Sequence, residues 1–255
     1  SRLSVEETLK NRGISSEIIF DLDDPMGTST CVGCGECVQA CPTGALMPSK
    51  EVGKVEPDKK VDSVCPYCGV GCLLTYNIKD DKILFAEGRD GPANMSRLCV
   101  KGRYGFNYVN SDQRLTVPLA RKKGVSKDIN PEDFDLNKIE NYFEPISWDE
   151  AIKRTTEKFK SLVMDDSRST AGFGCAKGSN EEAYLFQKLV RTGFRNNNVD
   201  HCTRLCHASS VVALLEMIGS GAVSNQVADV AEAETIIVIG ANPTVNHPVA
   251  ATFIK

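Results

Sequence analysis

The spacing of the cysteines constrains this chain more than any other feature of its sequence. Eight of the 11 cysteines fall into two groups, and the spacing within each group is typical of metal ligands. Cysteines separated by two residues mostly face one point in space, so they do not bridge distant segments. We therefore expect a reduced, metal-loaded protein, because disulfides persist only in oxidising compartments.

The first group lies in CVGCGECVQACP and consists of Cys31, Cys34, Cys37 and Cys41. This is the CxxCxxCxxxCP run of bacterial ferredoxins, which holds a 4Fe-4S cluster. The alternative is a zinc knuckle, although structural zinc usually takes two separated pairs of ligands. In ferredoxins with two clusters the fourth cysteine ligates the other cluster. Because the first 30 residues contain no cysteine, we expect Cys41 to face a different site and an upstream segment to supply the missing ligand.

The second group combines three cysteines of CPYCGVGC with a remote one in LCVKGR, and its members are Cys65, Cys68, Cys72 and Cys99. Four soft thiolates indicate an iron–sulfur cluster or zinc. A 4Fe-4S cubane needs four thiolates around it. We therefore expect the four sulfurs to converge on one point.

Composition along the chain predicts three domains. Residues 1–57 read as an incomplete ferredoxin-like 4Fe-4S segment that ends in the charged linker EVGKVEPDKK. Residues 58–118 alternate short apolar stretches with Gly and Asp turns, as a small β-rich 4Fe-4S lobe would. Residues 119–255 alternate strand and helix patterns, which indicates the start of a parallel-sheet α/β domain. The predicted fold class is thus α+β followed by α/β, and both ends of the sequence read as cut.

Several elements of the third domain are predicted individually. The segment ISWDEAIKRTTEKFKSLV has helical periodicity and begins with a capping box of Ser147 and Glu150. TAGFGC is predicted as a strand, and NEEAYLFQKLVRTGF as a helix capped by Asn180. TIIVIG is predicted as a buried strand, and Pro248 suits the first turn of a helix.

The overall composition argues against nucleic-acid binding and against a membrane span. The chain is 41% hydrophobic and 25% charged, as soluble globular proteins are. Its formal net charge of −4 provides no basic footprint for nucleic acid. No apolar run approaches the roughly 18 residues that a membrane span needs. We expect a cytoplasmic protein that binds neither nucleic acid nor membrane.

At CPYCGVGC and LCVKGR the sequence resembles the molybdopterin oxidoreductase family, and the resemblance extends from about residue 15 to the C-terminus. It implies 4Fe-4S clusters together with a molybdenum or tungsten centre on bis(molybdopterin guanine dinucleotide). In that family a lysine just after the fourth cluster ligand lies between the cluster and one pterin. Lys101 occupies that position, and its cation would hydrogen-bond the pterin.

The segment TRLCHASSV resembles the part of the family that carries the metal-ligating cysteine or selenocysteine. Here Cys206 is followed by His207, as in the formate dehydrogenase branch, whereas nitrate reductases usually carry Met after the cysteine. The resemblance implies that Cys206 is a metal ligand. It also implies a catalytic role for His207, which would position formate or take up a proton at neutral pH.

The loop GANPTVNHP resembles the family loop that contacts the pterin guanine dinucleotide. It follows the predicted strand TIIVIG, and open α/β sheets bind nucleotides at the carboxyl ends of parallel strands. The glycine would allow close backbone approach and the polar residues offer hydrogen bonds. The implied pterin-binding residues are Gly240, Asn242, Thr244, Asn246 and His247.

The resemblance implies oxidation of formate to carbon dioxide. Electrons would leave past Lys101 to the two cysteine groups and then to a partner subunit. This partner would be a subunit that carries flavin and reduces NAD, or another acceptor subunit. The formate-binding arginine and the C-terminal pterin domains would lie beyond Lys255, so the isolated chain is expected to be inactive. The alternatives are a nitrate reductase of the same family and a non-catalytic iron–sulfur electron-transfer subunit. The two remaining cysteines, Cys175 and Cys202, are expected to be buried structural thiols.

Overall fold

The computed structural model describes residues 7–48, 56–223 and 225–254. Their contacts divide the chain into two compact units, one formed by residues 1–112 together with 222–255 and the other by residues 113–221.

The strands are β1 (Glu7–Lys10), β2 (Glu17–Phe20), β3 (Lys59–Val64), β4 (Leu73–Lys79), β5 (Lys82–Gly88), β6 (Leu119–Arg121), β7 (Phe143–Pro145), β8 (Gly172–Gly174) and β9 (Val199–His201). The α-helices are α1 (Glu36–Ala40), α2 (Val100–Tyr104), α3 (Trp148–Asp165), α4 (Asn180–Lys188), α5 (Thr203–Cys206), α6 (Ala208–Ile218), α7 (Pro243–Asn246) and α8 (Pro248–Ala251). Short 3₁₀ turns cover Gly13–Ser15, Asn107–Asn110, Pro131–Asp133, Leu136–Asn141, Ser167–Ser169 and Val227–Glu232, and a π-helical turn covers Leu189–Gly193.

A three-stranded antiparallel sheet, in the order β3–β4–β5, forms the frame of the first unit. Strands β4 and β5 are joined by a two-residue turn, Asp80 and Asp81, and both residues have positive φ. Two positive φ values define the type I′ turn, whose twist matches that of the strands it joins. The β-rich character predicted around the second cysteine group is therefore present as this sheet.

The core of the first unit is built around cysteines. One cluster of buried side chains contains Cys65, Val70, Cys72, Leu74, Leu98, Cys99 and Val249. Leu74 on β4 and Leu98 in the loop before α2 are fully buried. Apolar burial in this unit is thus concentrated where the thiols lie, so the packing of the lobe also sets the position of the sulfurs.

Asn94 organises the loop that leads from β5 to Cys99. Its side chain is fully buried, and its Oδ1 accepts a hydrogen bond from the Leu73 amide at 3.0 Å. Its Nδ2 donates to the carbonyl oxygens of Leu73, Arg89 and Arg97 at 3.0 to 3.1 Å. A single amide side chain therefore provides hydrogen-bond partners for four backbone groups around this irregular loop.

The second unit contains an antiparallel pair, β6–β7, and a parallel pair, β8–β9. In the parallel pair Gly172 lies opposite Val199 and Gly174 opposite His201. A Cβ at Gly172 would come within 2.7 Å of the Val190 side chain, which is fully buried. The strand β8 therefore needs glycine there because the neighbouring helical segment packs directly against its backbone.

Some predicted elements are confirmed and one cap is wrong. Helix α3 begins at the predicted place, and the Ser147 side chain accepts from the Glu150 amide, but the predicted capping box is only half formed because the Glu150 carboxylate accepts from Arg154. Pro248 occupies the first turn of α8 as predicted. The cap of α4, however, is Ser179 and not Asn180, because Ser179 forms a complete capping box with Glu182. The predicted cap lies one residue late, since serine and asparagine are both good caps.

The prediction of a buried strand at TIIVIG is wrong. Residues 235–240 adopt no strand, and Ile237, Val238 and Ile239 are exposed. A strand is stable only where a neighbour completes its hydrogen-bond ladder, and no strand in the described ranges pairs with this segment. The predicted parallel-sheet domain is not confirmed, since the parallel pairing in the part of the chain that the structure describes is limited to β8–β9.

Within the described residues, no helix has both the length and the apolar character required to cross a membrane.

Replacing the buried amide tests the role of Asn94. We expect Asn94→Ala to lower the free energy of unfolding by about 2 to 4 kcal/mol, because it leaves buried backbone groups without partners. Asn110→Ala is the matched control: this half-buried side chain exchanges hydrogen bonds with the Ile83 backbone, and water can replace it. Urea denaturation would measure both. Equal losses in the two variants would contradict the organising role of Asn94.

Candidate iron–sulfur and pterin site

The loop CPYCGVGC closes the hairpin between β3 and β4. Cys65 follows β3 directly and Cys72 precedes β4, and the Cys65 amide donates to the Cys72 carbonyl at 2.9 Å. Gly71 has a φ of 72°, a left-handed conformation that glycine adopts without strain. The sheet thereby holds both ends of the loop, and its cysteines turn back toward the core.

Cys99 reaches the same core from a distant part of the sequence. It is the N-cap residue of α2, and it lies with Cys65 and Cys72 in the buried cluster, against which Cys68 packs. The structure therefore brings all four cysteines of the second group together. Their role as ligands of one cluster stays a prediction.

Burial controls the chemistry of these thiols. It raises the pKa of Cys72 to about 12, and the charges of Cys65, Cys68 and Cys99 contribute to the same rise. Burial also raises the pKa of Cys65, which the Tyr67 amide and Lys101 partly offset. Thiols that resist ionisation become thiolates when a metal replaces the proton. Cysteine sulfurs with amide donors nearby are the groups that ligate and hydrogen-bond a 4Fe-4S cluster.

The four cysteines share this core, but among the described residues no group of three or more His, Cys, Asp or Glu side chains lies close enough together to hold a metal ion, so the expected convergence of the four sulfurs on one point is not confirmed.

Gly102 and Gly105 allow α2 to approach the second group closely. A Cβ on Gly102 would lie 3.4 Å from the Cys65 sulfur and 3.3 Å from Leu98. A Cβ on Gly105 would lie 2.4 Å from the hydroxyl of Tyr67, and this hydroxyl donates to the Gly105 carbonyl. Neither glycine was predicted to have a role. The signal for Gly102 was its position in LCVKGR, next to the lysine.

The first group is arranged by glycines with positive φ. Gly33 and Gly35 have φ values of 61° and 72°, and the Gly33 amide donates to the Cys31 sulfur at 3.4 Å. An amide donor to a ligand sulfur is typical of iron–sulfur loops. Cys34 is buried, and Cys37 lies on the short helix α1.

Cys41 interacts with the turn that follows it. The Thr43 side chain, followed by the amides of Leu46, Thr43 and Ala45, lowers the pKa of Cys41 to about 7. The physical cause is hydrogen bonding to the thiolate, which favours its charged form. That Cys41 ligates a different cluster from the other three stays a prediction.

A cavity of about 440 Å³ in the first unit joins several predicted site residues. Its walls include Cys34 from the first group, Cys99 from the second, and Lys101. Thr244 of the predicted pterin loop also contributes to it. Lys101 and the pterin loop thus share one cavity with a member of each cysteine group.

The other residues of the predicted pterin loop are largely exposed. Gly240 has a φ of 64°, and no described atom lies within 4 Å of the position that a Cβ would occupy, so its backbone is open on that side. The Thr244 hydroxyl donates to Asn242 Oδ1 at 2.7 Å. Asn246 ends α7, and His247 lies between α7 and α8. The predicted position of this loop at the end of a strand is wrong, because TIIVIG forms none.

Cys206 and His207 lie in the second unit, just after β9. Cys206 ends the short helix α5, and the His207 amide donates to the Thr203 carbonyl at 2.9 Å. The His207 carbonyl in turn accepts from the Val211 amide at 2.8 Å, at the start of α6. Both side chains are exposed. The pair therefore sits on a sharp junction between two helices.

The turn before Cys206 is held by residues for which the sequence predicted no role. His201 Nδ1 accepts from the Thr203 amide at 3.1 Å and lies 2.6 Å from the Thr203 hydroxyl. Arg204 pairs with Asp200 at 2.5 Å. The His201 amide, followed by the Arg204 side chain, lowers the pKa of Asp200. These contacts define where α5 starts and hence where Cys206 ends it.

The expectation that Cys175 and Cys202 are buried is wrong. Both are exposed, next to the ends of β8 and β9. The Cys202 sulfur accepts from the Ala176 amide at 3.3 Å. The general tendency of cysteine toward burial is thus overridden here by their position at the end of a two-stranded pair.

The whole chain from residue 58 onward, apart from two linking residues, matches one protein family. Residues 114–255 match the family described as molybdopterin oxidoreductase, and residues 58–111 match its Fe4S4 domain. Residues 27–47 match the family described as 4Fe-4S binding domain. Proteins of Staphylococcus haemolyticus (strain JCSC1435) and Staphylococcus aureus (strain MRSA252), each named "Putative formate dehydrogenase", are 33% identical to this chain over 280 residues. These matches cover 93% of the chain and 27% of either relative.

Two glycines with the same backbone conformation test the close packing of the first group. We expect Gly35→Ala to destabilise the protein more than Gly44→Ala, since a Cβ at Gly35 would lie 2.2 Å from the Tyr104 hydroxyl and 2.4 Å from Arg103. Gly44 has a φ of 68° and no described atom within 4 Å of its Cβ position, so it reports the backbone strain alone. Thermal unfolding of the two variants would measure the difference, and an equal effect would contradict the packing argument.

Proposed function

Because this chain belongs to the molybdopterin oxidoreductase family, we propose that it forms the iron–sulfur and pterin-binding part of an enzyme that oxidises formate to carbon dioxide. The chain spans 27% of the length of the two staphylococcal relatives, so this activity is proposed for the whole protein. Their names support formate as the substrate.

The observation that carries the proposal is the adjacent pair Cys206 and His207, which follows the carboxyl end of β9. Ligands in α/β proteins bind outside the carboxyl ends of parallel strands. Asp200, Thr203 and Arg204 hold the turn, so the thiol and the imidazole occupy defined positions on it. A soft thiolate ligand beside an imidazole, which can donate or accept a proton, suits the oxidation of a small acid.

The bound molybdenum or tungsten with two molybdopterin guanine dinucleotides would supply the two-electron oxidation. We assign the Cys206 sulfur as the protein ligand of the metal. Lys101 Nζ would donate a hydrogen bond to one pterin, in the cavity that it shares with Thr244. The other proposed pterin contacts are Gly240, Asn242, Asn246 and His247.

His207 would orient formate through one imidazole nitrogen and take up the proton released by its oxidation. General acid–base catalysis needs a group that changes protonation near the operating pH, and histidine does so. Its backbone joins α5 to α6, which keeps the ring beside Cys206.

The eight clustered cysteines would carry the electrons away. We propose that Cys65, Cys68, Cys72 and Cys99 ligate the cluster that receives electrons from the pterin side, and that Cys31, Cys34, Cys37 and Cys41 serve the ferredoxin-like segment. The shared cavity wall of Cys99 and Cys34 supports this order. A flavin-containing, NAD-reducing subunit is the proposed acceptor, and a cytoplasmic location is consistent with cluster-bound thiolates.

Substitution of one buried thiol tests the assignment of the second cluster. In the full-length protein we expect Cys72→Ala to lower the iron content by about four atoms per chain, since a cubane lacking a thiolate ligand is lost or degraded. Cys175→Ala is the control, because this exposed thiol lies outside both groups. Iron and sulfide analysis after anaerobic purification would measure both. Unchanged iron in Cys72→Ala would contradict the ligand assignment.

The central prediction concerns Cys206 and His207. In the full-length enzyme Cys206→Ser replaces a soft ligand by a poorly ionised one, and we expect formate oxidation to collapse. His207→Ala should keep the metal and lower turnover roughly 100-fold to 10,000-fold, as expected for a lost acid–base group. Both variants should retain wild-type iron.

Assays with formate and with nitrate, together with molybdenum and tungsten analysis, would distinguish the possibilities. Nitrate reduction without formate oxidation would point to a nitrate reductase. A full-length protein without molybdenum or tungsten would belong with the electron-transfer subunits. Wild-type formate oxidation by Cys206→Ser with full metal content would exclude the proposed ligand.

A further inference from the structure

Arg103 is bonded to both cysteine groups at once. Its backbone amide donates to the Cys99 carbonyl at 3.0 Å, within the first turn of α2. Its side chain, only 4% exposed, donates from Nε to the Cys34 carbonyl at 2.7 Å. One residue therefore connects the peptide units of two predicted cluster ligands that are distant in sequence.

The rest of the guanidinium is directed to the helix of the first group. One terminal nitrogen donates to Gln39 Oε1 at 2.7 Å and the other to Glu36 Oε1 at 2.5 Å. Arginine presents its donors in a rigid plane, so three bonds to one segment define the orientation of that segment as well as its distance.

Glu36 and Gln39 complete the connection by returning to the second lobe. Glu36 Oε1 also accepts from the Leu98 amide at 2.9 Å, next to Cys99. Gln39 exchanges hydrogen bonds with Gly88 at 2.8 and 3.1 Å and donates to the Ser96 carbonyl at 3.3 Å. The helix α1 is thus attached to the lobe at several points around the buried arginine.

Cys34 and Cys99 also line the same cavity, together with Val32 and Val100. The two segments that carry predicted ligands therefore approach each other at this place. The rate of electron transfer falls steeply with the distance between centres, so the contact that sets this separation also sets the rate between the clusters.

We propose that Arg103 is a positioning residue that holds the first iron–sulfur cluster beside the second and, through its charge, raises the reduction potential of the first cluster. This inference rests on the part of the proposed function that assigns the two cysteine groups to clusters. It does not depend on formate as the substrate.

The direction in which Arg103 shifts the reduction potential of the first cluster follows from its charge. Reduction adds an electron to the cluster, and a buried cation stabilises the added negative charge. Arg103 contacts the peptide of Cys34 directly, whereas the Glu36 carboxylate is more exposed and bonds to the outer end of the guanidinium. Loss of the cation should therefore lower the potential, and loss of the carboxylate charge should raise it.

The test is a redox titration of the full-length protein followed by electron paramagnetic resonance. Signals are first assigned by their loss in Cys34→Ser and in Cys72→Ser. In Arg103→Gln we expect the potential of the first cluster to fall by at least about 59 mV, a tenfold change in the ratio of reduced to oxidised cluster. The magnetic coupling between the two reduced clusters should weaken, because their separation is no longer held by the guanidinium.

Three further variants keep the test decisive. Glu36→Gln retains an acceptor for Leu98 and should raise the potential of the first cluster. Arg103→Lys keeps the charge but loses the planar set of donors, so it should preserve the potential better than the coupling. Arg97→Gln is the control, since Arg97 bonds to Thr252 in the C-terminal segment, and it should change neither quantity.

If Arg103→Gln retains wild-type iron together with an unchanged potential and coupling, the inference is overturned. If Arg103→Gln fails to fold, Glu36→Gln decides: an unchanged or lower potential overturns the inference, and a higher potential supports it. Absence of formate oxidation in the wild-type protein would contradict the proposed function alone. Absence of both assigned cluster signals in the wild-type protein would overturn the inference together with the cluster assignment.

Discussion

The first unit depends on the buried interaction between Arg103 and the segment that carries Cys34, Glu36 and Gln39. The guanidinium is only 4% exposed and the Glu36 side chain 27% exposed, so loss of Glu36 would leave a buried charge without its partner, which is costly. This network therefore holds the ferredoxin-like segment on the lobe far more firmly than an exposed ion pair would. The glycine at position 35 is part of the same constraint, since its missing side chain provides the space that the arginine and Tyr104 occupy.

The packing of the first unit also affects the ionisation of its thiols. The thiols of the second group lie in the core of the lobe, and Cys72 in particular has a pKa of about 12, so thiolate formation in the absence of metal is unfavourable. Metal binding and folding are linked when ligands must lose protons in a buried site. Because Leu74 and Leu98 pack in the same cluster, the lobe builds its hydrophobic core around the place where an iron–sulfur cluster would be held.

In the second unit, Cys206 and His207 are positioned by short helices and by hydrogen bonds between residues that are close in sequence. Cys206 ends a helix of only four residues, and that helix is started by Thr203 bonding to His201 and braced by the Asp200–Arg204 pair. These exposed contacts are individually weak. They nevertheless define the turn that places a thiol and an imidazole side by side after the end of β9.

Features that depend only on residues close together in the sequence were predictable. These are both cysteine groups, the β-rich region of β4 and β5, the start of α3 at Ser147 and the turn at Pro248. The prediction of a strand at TIIVIG was wrong because a strand needs a partner that its own residues do not specify.

The roles of Arg103, Asn94 and Gly35 were not predictable, since an arginine, an asparagine and a glycine have no distinctive local pattern there. Their contacts, such as the hydrogen bond between Arg103 and Cys34 across a separation of 69 residues, exist only in the folded chain. The sequence by itself thus determined which cysteines have the spacing of metal ligands, because that spacing is local. Only the tertiary structure decided how the two groups are held together, because burial and long-range hydrogen bonds arise when distant segments pack.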